Sequence, residues 1–219
     1  MDYQLRTHAR ARKLTLRLDK NGQVVVTVPR FTPRFLVKKF IAQHEDWILA
    51  NQAKQQTNRA KFISETNLML FGKQYALEIR PSEDASTVKI QAKTVVVFLH
   101  HNSRQSVETI LQKFLKNTAS HYLTPRIHQL AKKMKVDFKK ITLRAQTTRW
   151  GSCSSRGSLN FNWKLVHFPS AVIDYVIVHE LAHLKHMNHS TAFWQFVEQF
   201  APDYRMQRGW LKRQGVGVG

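Results

Sequence analysis

The stretch His179-Glu180-Leu181-Ala182-His183, followed by His189, constrains this chain more than any other. Two histidines four positions apart lie on one side of an α-helix, because about 3.6 residues make a turn. Their imidazoles can then hold one metal ion from one helix face. Glu180 sits beside the first of them, where a carboxylate can take a proton from a water at the metal. This is the H-E-x-x-H arrangement of zinc sites. A third ligand from the following segment would leave one coordination position for water, which separates a catalytic zinc site from a closed structural one.

The third ligand is assigned to His189. Its distance from His179 equals the first-to-third interval of H-E-x-x-H-x-x-G-x-x-H. His186 stands where that pattern has glycine, so the left-handed turn that stops the helix is expected at Asn188 instead. His186 itself and Glu198 remain rival third ligands. Zn2+ is the expected cofactor, Glu180 the general base, and Arg149, His186 and Tyr204 are candidate oxyanion donors.

The rest of the chain has to support such a helix. Val172, Ile173, Val176 and Ile177 make the segment from Pro169 apolar on more than one side, which predicts a buried helix with Ser170 as N-cap and Asp174 near its positive end. Ser190 is expected to cap the next helix, with Phe193, Trp194, Val197 and Phe200 packing and Pro202 ending it. Ile141–Arg144 and Leu159–Trp163 read as strands, separated by a small-residue loop from Arg149 to Gly157. Helical spacing runs from Ser106 to Met134, and Pro125 is expected to kink or divide it.

Towards the N-terminus, alternation over residues 3–18, the turn signal Asn21-Gly22 and the β-branched run before Pro29 predict a hairpin or small meander. Arg6, His8, Arg10 and Arg12 would share one face of its first strand. A helix is expected from Thr32 as N-cap and Pro33 to about Asn58, burying Phe35, Leu36, Phe40, Ile41, Trp47 and Ile48, with a polar linker over 51–61. Leu68–Arg80, Thr87–Ile90 and Thr94–Leu99 read as strands. Gln214 to Gly219 is expected to fray.

The formal charge is +21 over 219 residues. Residues 1–60 carry 12 basic and 4 acidic side chains, residues 61–140 carry 14 and 6, and residues 141–219 carry 9 and 4. The excess is therefore no detachable tail. A field of this sign raises the local concentration of nucleic acid or acidic protein, so nucleic acid is a candidate partner through the basic surface. No apolar run is long enough to span a membrane, Met1–Arg6 lack the apolar core of a signal peptide, and Cys153 is the single cysteine. The expected setting is the cytoplasm, with no membrane contact.

Arg149-Trp150-Gly151-Ser152-Cys153, Asn160-Phe161-Asn162-Trp163, Val178-His179-Glu180-Leu181-Ala182-His183-Leu184, Asn188-His189-Ser190, Phe193-Trp194 and Pro202-Asp203-Tyr204 together resemble the YgjP-like family of predicted zinc-dependent metallopeptidases. That family is related to the SprT-like and WLM-type proteases. The resemblance covers about residues 140–212 in its specific motifs. It implies a zincin fold, zinc ligands at His179, His183 and His189, Glu180 as general base, and a protein or peptide substrate. It also implies that the strand near Asn160–Trp163 borders the cleft and pairs with an extended substrate backbone. SprT-like relatives cleave proteins crosslinked to DNA, so a nucleic-acid-associated substrate is the extension by analogy. The overall expectation is an α+β chain: residues 1–100 form a β-rich N-terminal region with one long helix, and residues 101–219 a zincin-like metallopeptidase domain with an H-E-x-x-H active-site helix. The alternative is a basic nucleic-acid-binding protein whose zinc site is structural or vestigial.

Overall fold

Val24–Val28 becomes the centre of a three-stranded sheet because five β-branched or apolar positions in a row can be buried on both faces. This strand, β3, lies between β1 (Tyr3–Thr7), which it pairs in parallel, and β2 (Thr15–Leu18), which it pairs antiparallel. The computed structural model describes residues 2–19, 22–64, 66–146 and 149–213, without the side chains of 54–62. The expected hairpin is therefore β2–β3, with Gly22 at φ 82° on its described side; Asn21 lies outside the described residues. It is not a meander, since β1 joins β3 rather than β2. The basic stripe is not formed either. β1 stops at Thr7, and the chain turns at His8, whose carbonyl accepts from Ala11 N and whose Nδ1 accepts from Arg10 N, so Arg10 and Arg12 leave the strand.

The long N-terminal helix is two helices, α1 (Arg34–Gln43) and α2 (Glu45–Phe62), interrupted at His44. The interruption resets the helical phase. Val37, Ile41 and Ile48 are buried against Val24, Val26 and Val28, whereas Phe35 and Trp47 are 67% and 45% exposed. The cap is Pro33, with no side-chain bond; Thr32 instead donates its hydroxyl to the Pro29 carbonyl. The expected linker over 51–61 is helical as well. Gln214–Gly219 lies outside the described residues.

The chain forms two compact units, Met1–Ser64 and Glu65–Gly219. The reason lies in the strands that follow. β4 (Asn67–Leu70), β5 (Lys73–Ser82), β6 (Thr87–Gln91) and β7 (Thr94–His100) form a sheet of order β4-β5-β7-β6. Its β4–β5 turn is bonded to the 3₁₀ turn Trp163–His167, where Phe71 N donates to Val166 O and Gly72 N to His167 O. A Cβ on Gly72, at φ 75°, would sit 2.8 Å from Pro169 Cγ. Gly72 is thus needed both for the left-handed turn and for the approach to the residue that caps the next helix. These strands hold the entry to the site and belong with it.

The imidazole of His167 is part of that attachment. Its Nδ1 lies 2.7 Å from the Met69 carbonyl, so this nitrogen carries the proton and donates. Burial pushes its pKa down from the usual histidine range to about 4. The neutral ring is favoured in the folded chain, while the unfolded chain binds the proton more readily. Stability from this group is complete above about pH 6.5 and is lost as pH falls through that value towards about 4. The full loss is about 3 kcal/mol. Urea midpoints between pH 7 and 4.5 should fall less in His167→Gln than in the parent; equal slopes would show that the ring is not the sensor.

The remaining elements include one long helix. α3 (Val107–Met134) is continuous through Pro125 and is not divided. Leu115, Ala119, Leu123 and Ile127 around the proline are fully buried, and packing of that extent outweighs the single lost backbone bond. β8 (Lys140–Arg144), β9 (Gly151–Cys153) and β10 (Ser158–Asn162) form a third sheet of order β8-β10-β9. The small-residue loop therefore contains a strand, and Trp163 begins the 3₁₀ turn rather than ending β10. α4 (Ser170–Ala182) follows, then α5 (Thr191–Phe200) and α6 (Tyr204–Arg213). Ser170 is the first residue of α4, not its cap, which is Pro169. Asp174 is held by Arg126 of α3 through two bonds of 2.8 and 2.6 Å, tying α4 to α3. No helix among the described residues is long and apolar enough to cross a membrane.

Candidate metal centre

Every residue of α4 from Tyr175 to Ala182 is buried, so the helix is fixed against rotation by packing on both sides. His179 and His183 leave it on one face. The helix then ends through tightening turns, with Leu184 N donating to Leu181 O and both Lys185 N and His186 N to Ala182 O. Asn188 does not take the left-handed conformation expected of it: the non-glycine residues with positive φ among those described are Phe31, Phe71, Ala92 and Lys135. The tightened exit reverses the chain without one, and His189 comes back to the helix. Its Nε2 lies 3.1 Å from His179 Nε2.

His179, His183 and His189 each offer a ring nitrogen, and the three atoms all lie within 4.8 Å of one another. Two nitrogens bound to one tetrahedral zinc at about 2.0–2.1 Å are separated by about 3.4 Å, so this cluster fits one small cation with little movement. Aromatic packing fixes the rings. Phe193, one turn into α5, has its centroid 5.0, 4.7 and 4.8 Å from those of His179, His183 and His189. Trp194 stacks on His189 at 5.6 Å and 23°. Ser190 caps α5 by accepting from Phe193 N, which sets both aromatics at the correct height.

His183 is oriented by a group that the sequence does not advertise. Its Nδ1 lies 3.2 Å from the His186 carbonyl, which requires Nδ1–H and leaves Nε2 as the nitrogen that could hold a metal. Burial also lowers the His183 pKa, favouring the neutral ring that binds metal. His186 thus reaches the cluster through its backbone, while its ring packs 5.9 Å from Phe196. Glu198 is exposed on α5 and faces the charge of Arg205. Neither rival joins the cluster of three.

Glu180, the next residue along the helix, lies against Gly151 of β9. It is 1% exposed, and neither carboxylate oxygen has a hydrogen-bond partner. Burial raises its pKa to about 8, opposed by the nearby charge of Arg149. A buried carboxylate with no partner is costly, and such groups persist where their chemistry is used. Gly151 makes room for it: a Cβ there would lie 2.6 Å from both Glu180 Cγ and Oε1. Gly151 and Tyr175 are the residues that sequence reasoning missed. Tyr175, one turn before His179, has its ring 5.9 Å from that imidazole, and burial pushes its hydroxyl up to about 12. Their signals were present, a glycine before a strand and an i, i+4 aromatic, but only packing gives them meaning.

Trp150 and Trp163 are both 4% exposed and pack in the core. Cys153 is half-buried, with a pKa raised to about 11 by burial and by Glu180. Tyr204 stacks on Trp194 at 5.2 Å and accepts at its hydroxyl from Arg205 Nε. β10 cannot accept a substrate strand as expected, because β8 and β9 occupy both its edges. The edge of this sheet beside α4 is β9.

Converging imidazoles and a buried carboxylate on one helix are the parts of a metal-dependent hydrolase. The chain belongs to the YgjP-like family: that family's metallopeptidase domain model matches residues 12–214. No curated protein matches the chain. Among solved structures it is similar to the metallopeptidase zymogen abylysin of Pyrococcus abyssi, at 17% identity and a TM-score of 0.41 over 44% of this chain and 99% of that one. It is also similar to the zymogen jannalysin of Methanocaldococcus jannaschii, at 17% identity and a TM-score of 0.39 over 43% and 97%.

Proposed function

We propose that this chain is a zinc-dependent peptidase of the H-E-x-x-H, zincin-like class, with His179, His183 and His189 as ligands and Glu180 as general base. The observation that carries this reading is a cluster of three imidazoles, two from the end of a buried helix and one from the segment that returns to it, beside a carboxylate on that helix that has no structural partner. Zinc, when bound, supplies Lewis-acid polarisation of the scissile carbonyl and a water acidic enough to lose its proton near neutral pH. Glu180 takes that proton and passes it to the leaving nitrogen. The His186 carbonyl keeps His183 in the ligating tautomer, and Phe193 and Trp194 hold the rings in place. Arg149, whose charge reaches Glu180, and Tyr204, stacked on Trp194, are the candidate oxyanion donors. The free edge of β9 is the natural place for an extended substrate to add as a strand. The single cysteine favours a cytoplasmic setting.

The test is metal content and cleavage in one series. Zinc-loaded protein should contain one zinc per chain and cleave an unfolded protein, and a chelator should stop cleavage until zinc is restored. His189→Ala should bind well below one zinc per chain, because one of three ligands is removed. Near-stoichiometric zinc in that variant would reassign the third ligand to Glu198 or His186. One zinc with no cleavage, together with salt-sensitive DNA binding by parent and variants alike, would favour a basic binding protein with a structural site; the +21 charge supports that second reading.

A further inference from the structure

Arg208 of α6 is set apart from the other exposed cations by what it rests on. Its guanidinium carbon lies 4.6 Å from the centroid of the Trp194 ring. That same ring stacks on His189 and lies 5.7 Å from His179. A flexible surface arginine is thereby fixed one ring away from the metal cluster. It carries no carboxylate: the arginine ion pairs among the described residues are Arg80–Glu78 and Arg126–Asp174. Glu198, the acid on α5, faces Arg205 instead. Arg149 adds a second cation whose charge reaches Glu180, and its backbone is held where Asn162 Nδ2 approaches its carbonyl at 3.5 Å. Two guanidiniums, one resting on the ring that stacks on His189 and one whose charge reaches Glu180, therefore stand by the site with no ion pair of their own among the described residues.

We infer that Arg208, held on Trp194 and assisted by Arg149, binds a carboxylate of the bound peptide beside the scissile bond, so that the substrate class is acidic peptides. The inference rests on the peptidase reading above. A guanidinium offers two parallel N–H donors to a carboxylate, and an ammonium does not, so the geometry as well as the charge matters. The carboxylate can come from an Asp or Glu side chain or from the peptide's own C-terminus.

The test measures binding apart from turnover. Zinc-loaded full-length Glu180→Gln protein is titrated, by fluorescence anisotropy, into labelled C-amidated peptides that differ only in Glu or Gln at the central positions, and into the Gln peptide with a free C-terminus. At about 150 mM salt, where long-range fields are screened, the Glu peptide or the free-acid peptide should bind roughly tenfold tighter than the neutral one. Whichever does so names the source of the carboxylate. Adding Arg208→Gln should erase the preference, Arg208→Lys should keep part of it, and Lys113→Gln, the same charge change on exposed α3 surface, should leave it intact. Equal binding of all three peptides, or equal losses in Arg208→Gln and Lys113→Gln, would overturn the inference and leave only the general field of a basic protein. Cleavage of the Gln peptide by the parent, with no charge preference, keeps the peptidase reading while this one fails. Arg208-dependent binding with no cleavage of any peptide does the reverse.

Discussion

Glu180→Gln should lose about 10²–10⁴ in kcat/KM while keeping one zinc per chain. The amide has the shape of the carboxylate but accepts no proton near neutral pH. The three imidazoles do not depend on it, since neither Glu180 oxygen bonds to them or to any other group. For the same reason the variant should not be less stable. A buried carboxylate that lacks a partner opposes folding, and a neutral amide in its place opposes it less. Elemental analysis, peptide hydrolysis and urea unfolding on the same preparation check all three parts. Unchanged hydrolysis would remove Glu180 as the base. Lost zinc would instead mean that the carboxylate helps to build the site.

The helix that carries the candidate metal cluster was legible in sequence because its determinants are local. The i, i+4 histidines share a face by geometry, the apolar run around them has no polar side to expose, and Ser190 is followed at once by the two aromatics it positions. Elements whose signal is tertiary were not legible. β9 is three residues long and exists only through its pairing with Leu159–Phe161 of β10, so Gly151–Cys153 reads as loop when taken alone. α6 buries Tyr204 and Leu211 in an otherwise basic segment, too sparse a stripe to predict. At Pro125 the helix is not divided, because α3 is buried on both sides of the proline. At Asn188 the reversal was anticipated but not its means, because backbone bonds to Leu181 and Ala182 do the work assigned to a left-handed residue. In the first unit, Ile41 and Ile48 are buried as expected, whereas across the break at His44 Phe35 and Trp47 are exposed and Val37 joins the core instead.

Gly151→Ala should be nearly as damaging as removing the carboxylate, although it adds one methyl group far from any ligand in sequence. The new Cβ would stand 2.6 Å from Glu180 Cγ and Oε1 and 2.8 Å from Cδ, closer than unstrained atoms approach. Neither side can yield freely. Gly151 is paired with Phe161 across the β9–β10 ladder, and Glu180 sits on a helix whose neighbours are all buried. Overpacking of this kind costs about 1–3 kcal/mol, and displacing a reacting group by about 1 Å costs about 10² in rate. Zinc content should hold, because Glu180 is not one of the three clustered side chains. If the clash with Glu180 is the cause, shortening that side chain should relieve it. Gly151→Ala combined with Glu180→Asp should then be destabilised by less than the sum of the two single changes. Urea unfolding of the parent, both singles and the double measures this coupling. Additivity within about 0.5 kcal/mol would show that the glycine serves the strand rather than the carboxylate.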